Sequence, residues 1–314
     1  MNTGIDDDVM RQQSFDCDGP VELDVELGPG VVEIRLDDTD RTDSFGTPET
    51  KAPEQHVHVQ VRHAAAAGNP MALGFTGLLN WVGGRFGSWS ASLPAQAVRE
   101  TLIGKRGDRV EVRAPKAMPL STVPLEIVVQ APAGSAVMVR VGSADTRISG
   151  TAGRCVLHAG SGKVSLERAD GSVHVQTGSS AARLGTIGGD LSARSGSGDL
   201  EISTLAASSS ISTGSGDVWV GTMRGRHLSV KTGSGDLTVA DAESGDLELT
   251  TGSGDLWVGV HSGVMAELDL TTGSGRARSD LEVNDGPAPA DAETVVRVRG
   301  RTGSGDAVVT RATA

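Results

Sequence analysis

The side chains best placed to do chemistry in this chain are aromatic and acidic, and they recur at a fixed interval. Trp219 and Trp257 stand in Gly-Asp-Val-Trp-Val and Gly-Asp-Leu-Trp-Val, and the equivalent place between them is Thr238. Ser165, Glu201, Trp219, Thr238 and Trp257 read as one column on an outer face, with the two indoles two repeats apart, about 10 Å. Flat aromatics on a regular sheet can stack sugar rings or bury a partner; their other role is to cover the sheet or meet neighbouring structure. Asp199, Asp217, Asp236 and Asp255 keep the same step and invite comparison with calcium-binding β-rolls. Such rolls place one residue between Gly and Asp and repeat the Asp on both turns, whereas one carboxylate per coil falls short of six oxygen ligands. No metal or other cofactor is therefore expected, and no catalytic set.

Other constellations are weaker. Gly160-Ser-Gly-Lys163 resembles part of a phosphate loop, but Val164 replaces the hydroxyl residue and no glycine stands at the required upstream spacing. His56 and His58 share one strand face with no identifiable Cys or carboxylate partner, so they read as exposed sheet histidines. Cys17 and Cys155 lie far apart, and Cys155 falls on an inward strand position, the place of a buried reduced thiol.

The elements that position these residues follow from the repeat. A Gly-Ser-Gly or close variant returns at Gly160, Gly178, Gly196, Gly214, Gly233, Gly252, Gly273 and Gly303, with first intervals of 18, 18, 18, 19, 19 and 21 residues. A short fixed period of this kind marks a solenoid, in which each repeat buries its apolar face against its neighbours. Each period carries two short alternating runs, such as Leu237-Thr-Val239 and Leu247-Glu-Leu249, whose apolar members share one face. The second run closes on Thr just before the next Gly-Ser-Gly. The expected fold is all-β: a parallel β-solenoid of about nine two-strand coils over 135–314, stacked in chain order. The turn glycines are expected to supply positive φ, and the Asp after each turn to cap it through backbone N–H groups.

Residues 15–134 alternate as strands without the repeat and read as a β cap for the first coil; residues 1–14 read as a disordered start. Within the cap, 64–104 is an insertion holding Phe75, Trp81, Phe86 and Trp89, and these recur with Leu78 and Val82 at helical spacing. A second helix is expected over Ala95 to Ile103, after Pro94. The insertion is open to two readings: a lid packed on the fold, or an apolar segment that docks a membrane or a partner through Phe75, Leu78, Trp81, Val82, Phe86 and Trp89. A Pro-rich acidic loop is expected at 284–292.

Composition restricts the partners. The net charge of −12 and dispersed basic residues argue against nucleic acid and leave a protein, a glycan or a membrane surface. Asp6-Asp-Asp8 and the lack of an apolar run in Met1 to Ser14 point to a cytoplasmic chain, with peripheral attachment at the inner membrane as the variant. Arg297, Arg299, Arg301 and Arg311 crowd the last strands; charge on an exposed edge opposes end-to-end stacking, so a monomer or small homo-oligomer is expected.

Val123-Pro-Leu-Glu-Ile-Val-Val-Gln-Ala-Pro-Ala-Gly134, followed by Thr-Gly-Ser-Gly-Asp coils, resembles the bacterial putative-adhesin β-strand-repeat proteins, a domain of unknown function. The resemblance covers about Val21 to Ala314 apart from the insertion, and implies a solenoid with no catalytic residues to carry over. The resulting expectation is a non-enzymatic binding or scaffold protein. The alternatives are a membrane-associated self-assembling scaffold and a pectate-lyase-like enzyme acting on polysaccharide, which the minimal turns leave without cleft walls.

Overall fold

The structure, a computed structural model, describes residues 10–37, 55–64, 93–281 and 295–312. The docking segment from Phe75 to Trp89 and the 284–292 loop lie outside them. The chain divides into two compact units, 1–150 and 151–314.

In the first unit the strands are β1 (Met10–Cys17), β2 (Glu22–Asp37), β3 (Gln55–His63), β4 (Leu102–Arg106), β5 (Arg109–Arg113), β6 (Leu125–Pro132) and β7 (Ala136–Ala152). Among the described residues an α-helix, α1 (Leu93–Glu100), precedes β4. The hub is β2, paired in parallel with β5 and β6 along one edge and with β7 along the other. Antiparallel additions follow: β3 on β6, β1 on β3, and β4 on β5. Alternation puts Val25, Ile34, Val59 and Ile127 into a core where each is fully buried.

Two expectations change in this unit. Residues 10–14, read as part of a disordered start, belong to β1, because Met10–Cys17 pairs along its whole length with β3. The helix expected to end at Ile103 ends at Glu100. Pro94, whose missing N–H costs nothing in a first turn, stands near its start, and Leu102–Arg106 is captured as the antiparallel partner of β5.

The second unit consists of two-strand rungs. In chain order these are β8 (Cys155–Ala159) with β9 (Lys163–Ala169), β10 (Val173–Thr177) with β11 (Ala181–Ile187), and β12 (Leu191–Ser195) with β13 (Leu200–Leu205). Next come β14 (Ser209–Thr213) with β15 (Val218–Met223), β16 (His227–Thr232) with β17 (Leu237–Ala242), and β18 (Gly245–Ser253) with β19 (Leu256–Val260). The last are β20 (Met265–Ser274) with β21 (Ala277–Ser279), and β22 (Val295–Ser304) with β23 (Ala307–Arg311). Even-numbered strands stack on even and odd on odd, all parallel and in register. This is a parallel β-solenoid. Its filling is aliphatic, as in the column Leu184, Ile202, Val220, Val239 and Val258, each at most 2% exposed.

Stacking follows chain order only as far as β18 and β19. The next rung in space is β22 with β23, and β20 with β21 lies beyond it, so the last coil of the chain is inserted between its two predecessors. Side-chain charge favours the inversion. Asp246 and Glu248 on β18, and Glu267 and Asp269 on β20, occupy the same two ladder positions, so direct stacking of these rungs would set like charges side by side. Between them β22 supplies Arg297, 3.4 Å from Asp246 and 3.0 Å from Glu267, and Arg299, 3.4 Å from Glu248. Arg311 donates to the carbonyls of His261 and Val264 and ties down the link that steps over the inserted rung. The arginines expected at an exposed edge are therefore inside the stack.

The turn glycines answer to close approach more than to handedness. A Cβ on Gly198 would lie 1.9 Å from the carbonyl oxygen of Ser180 in the preceding rung, and one on Gly216 would lie 2.3 Å from that of Gly198. Neither glycine is among those with positive φ; the side chain is excluded because the next layer of backbone already fills its place. The Thr before a turn holds its own turn or the one in the rung before: Gly216 donates to Thr213 Oγ1 within one turn at 3.1 Å, and Thr251 Oγ1 donates across to the Gly235 carbonyl of the preceding turn at 3.0 Å.

Candidate functional site

The register of the odd-numbered strands fixes what lies on the outer face. Ser165, Arg183, Glu201, Trp219, Thr238 and Trp257 form one continuous ladder, one residue per rung. The sequence column omitted Arg183, which pairs with Glu201 at 2.9 Å and closes one end of the aromatic stretch. Trp219 is 40% exposed and is the large apolar side chain most open to solvent among the described residues of this unit; Trp257 is half-buried. Two residues on from each Trp is a glycine, Gly221 or Gly259. A Cβ at Gly221 would meet Trp219 Cη2 at 3.0 Å, so the indole lies down over that glycine. A larger residue there would lift the ring off the sheet.

Two residues before Glu201, Trp219, Thr238 and Trp257 stands the Asp that follows the turn. Its expected role, capping its own turn, is replaced by a bond between rungs. Asp199 Oδ1 accepts from the Asp217 N–H at 3.0 Å, Asp217 from Asp236 at 2.9 Å, Asp236 from Asp255 at 2.8 Å, and Asp255 from Asp306 at 2.8 Å. The aromatic ladder is thus bordered by a carboxylate ladder, which repels anions and suits a neutral, hydroxyl-rich or cationic ligand.

A second set forms where corners of successive rungs stack. The ligand atoms of Asp241, Glu243 and His261 lie within 4.8 Å of one another. His261 Nδ1 is 2.9 and 3.0 Å from the two Asp241 oxygens, and Glu243 is gripped by Arg224 through contacts of 2.9 to 3.0 Å. That guanidinium occupies the Glu243 oxygens, so the set reads as a salt bridge stacked on a histidine–carboxylate hydrogen bond. Its sequence signal is the position just after the third inward residue of each rung: Arg224, Glu243 and His261.

His56 and His58 acquire partners on β1, the strand that composition hid. His56 Nδ1 is 2.9 Å from Asp16 Oδ1 and His58 Nδ1 is 2.7 Å from Ser14 Oγ, each across the antiparallel ladder. Both cysteines are free and buried; burial pushes the Cys155 thiol up to about 12 and also raises that of Cys17. Neither is set up as a nucleophile, which needs a thiolate.

The rung register and the turn chemistry coincide with a family profile: Toastrack DUF4097 matches residues 98–310. The chain belongs to this family. Toastrack DUF4097 is a domain of unknown function with a β-solenoid fold. Among solved structures the chain is similar to a putative adhesin from Bacteroides fragilis, with 9% identity, 96% of each chain covered and a TM-score of 0.45. It is also similar to a putative lipid binding protein from Parabacteroides distasonis, with 11% identity, 96% of this chain and 95% of that one covered, and a TM-score of 0.36. No curated protein matches the chain in sequence.

Proposed function

We propose that this Toastrack chain is a non-catalytic binding module whose ligand is an uncharged glycan laid along the Trp219–Thr238–Trp257 ladder. One observation carries the reading: two indoles on a single ladder, two rungs apart, with Thr between them and Gly221 beneath the first ring. Flat apolar faces at about 10 Å suit the faces of sugar rings in a short oligosaccharide. Thr238 offers a hydroxyl between them, and the neighbouring Asp ladder offers acceptors to sugar hydroxyls while disfavouring anionic polymers. The setting is the cytoplasmic side of the envelope, where the acidic chain meets glycan or protein.

The test is affinity electrophoresis of the purified chain in gels containing a panel of neutral polysaccharides. Retardation is expected with at least one of them, and Trp219→Ala with Trp257→Ala together should abolish it while circular dichroism shows the double variant still folded. No retardation by any polymer, or equal retardation of the double variant, overturns the proposal.

A further inference from the structure

The rung of β20 and β21 ends the stack among the described residues, and there it is unfinished. Among the described residues β20 pairs only with β22, and β21 only with β23, so each has one unpaired edge. The filling is unfinished too. Leu268 and Leu270 continue the inward columns of Leu247 with Val298 and of Leu249, but where Val298 and Leu249 are 1% exposed, Leu268 and Leu270 are only half-buried. An edge with free N–H and C=O groups above open apolar side chains is a template for one more strand.

Charge selects which strand. The outward residues of β20 are Glu267 and Asp269, and the strand already on its other side answers them with Arg297 and Arg299. Glu267 keeps 70% of its side chain exposed despite its 3.0 Å contact with Arg297. A residue on a parallel ladder faces both flanking strands, so these carboxylates also face the free edge. A second copy meeting this edge with its own β20 would bring Glu267 and Asp269 against their like, which opposes self-pairing.

We infer that the free edge of β20 is a docking site for an extended peptide of a protein partner, with small apolar residues alternating with Arg or Lys, added in parallel as one further strand. The resident β22 is its template. Val296 and Val298 show what covers the apolar filling, and Arg297 and Arg299 show what meets the acidic pair. Main-chain hydrogen bonds supply affinity and the alternating cations supply register.

The experiment uses the full chain and a fluorescein-labelled synthetic peptide with the sequence of residues 295–304, followed by fluorescence anisotropy. Saturable binding is expected that weakens as salt rises. Two changes should each weaken it by about tenfold or more: replacing the peptide's arginines by Glu, which leaves the protein untouched, and Asp269→Lys on the protein, which spares the Arg299–Glu248 pair. Circular dichroism establishes that the Asp269→Lys chain is folded. Absence of binding, or equal binding of the Glu-substituted peptide, overturns the inference. So does sedimentation showing that the chain closes this edge by pairing with a second copy.

Discussion

At the residue scale the fold is governed by atoms that are missing and by one that is sheltered. Gly198 sits where a Cβ would fall 1.9 Å from the Ser180 carbonyl oxygen and 2.5 Å from its carbon, both backbone atoms of the rung before. Those atoms cannot withdraw without breaking the ladder, so Gly198→Ala should cost about 3 kcal/mol in urea unfolding, the scale of an overpacked core. Gly104, in a strand of the first unit with nothing within 4 Å of its Cβ position, is the control, and Gly104→Ala should change stability by no more than about 0.5 kcal/mol. Equal costs at the two sites would show that close approach between rungs is not what reserves the turn for glycine. The sheltered atom is the Cys155 sulfur. Its thiol pKa is pushed from 9.0 to about 12 by burial, so the folded chain keeps the proton where the unfolded chain releases it. The thiol's contribution is therefore complete below pH 9 and is lost as pH rises from 9 toward 12, by about 1.4 kcal/mol per unit. Cys155→Val removes that slope, and urea midpoints from pH 7.5 to 10.5 should diverge between the two chains only above pH 9; parallel curves would refute the assignment.

At the element scale, legibility followed distance along the chain. Each rung is local: Leu237-Thr-Val239, the Thr before the turn and the Gly-Ser-Gly itself lie within one period, so strand, inward face and register could be read from residues a few places apart. The Trp219, Thr238 and Trp257 ladder was legible for the same reason, because equal spacing in sequence becomes stacking in space. What failed depended on distant partners. β1 is polar along most of its length and becomes a strand only by pairing with β3, which begins 38 residues beyond Cys17 at Gln55. The inserted position of β22 has one local mark, a single residue after the turn: Asp306 follows the Gly303 turn and continues the Asp ladder from Asp255, whereas Arg276 follows the Gly273 turn and breaks it. The position otherwise depends on matching Arg297 and Arg299 with acids about 50 and 30 residues earlier, Asp246 with Glu248 and Glu267 with Asp269. The glycines were located correctly and positive φ holds at Gly162, Gly245, Gly254 and Gly305, but close approach at Gly198 and Gly216 was missed, because a single strand's pattern contains no information about how closely the next layer approaches.

At the scale of the whole molecule, the inverted order of the last rungs predicts an asymmetry between two deletions. β22 and β23 pair directly and in register with β18 and β19, with Gly245 opposite Val296 and Leu256 opposite Ala307. A chain that lacks 263–294, joining Ser262 to Val295, therefore keeps a continuous stack. The join leaves His261 and Ser262 to link Val260 to β22, much as Glu243 and Ser244 link Ala242 to β18. Its new outer edge carries Arg297, Arg299 and Arg301, and edge charge discourages aggregation. A chain that lacks 295–314 loses the cationic spacer instead, and β20 must either remain unpaired or bring Glu267 and Asp269 against Asp246 and Glu248. The first deletion should unfold cooperatively with a midpoint close to that of the full chain, because a solenoid's stability is roughly a sum over neighbouring rungs and only one end rung is gone. The second should lose more than one rung's share, show a broadened transition, and recover part of the loss when Glu267 and Asp269 are both changed to Lys. If the two deletions unfold alike, or the double substitution brings no recovery, the arginine rung is not what sets the order of the stack.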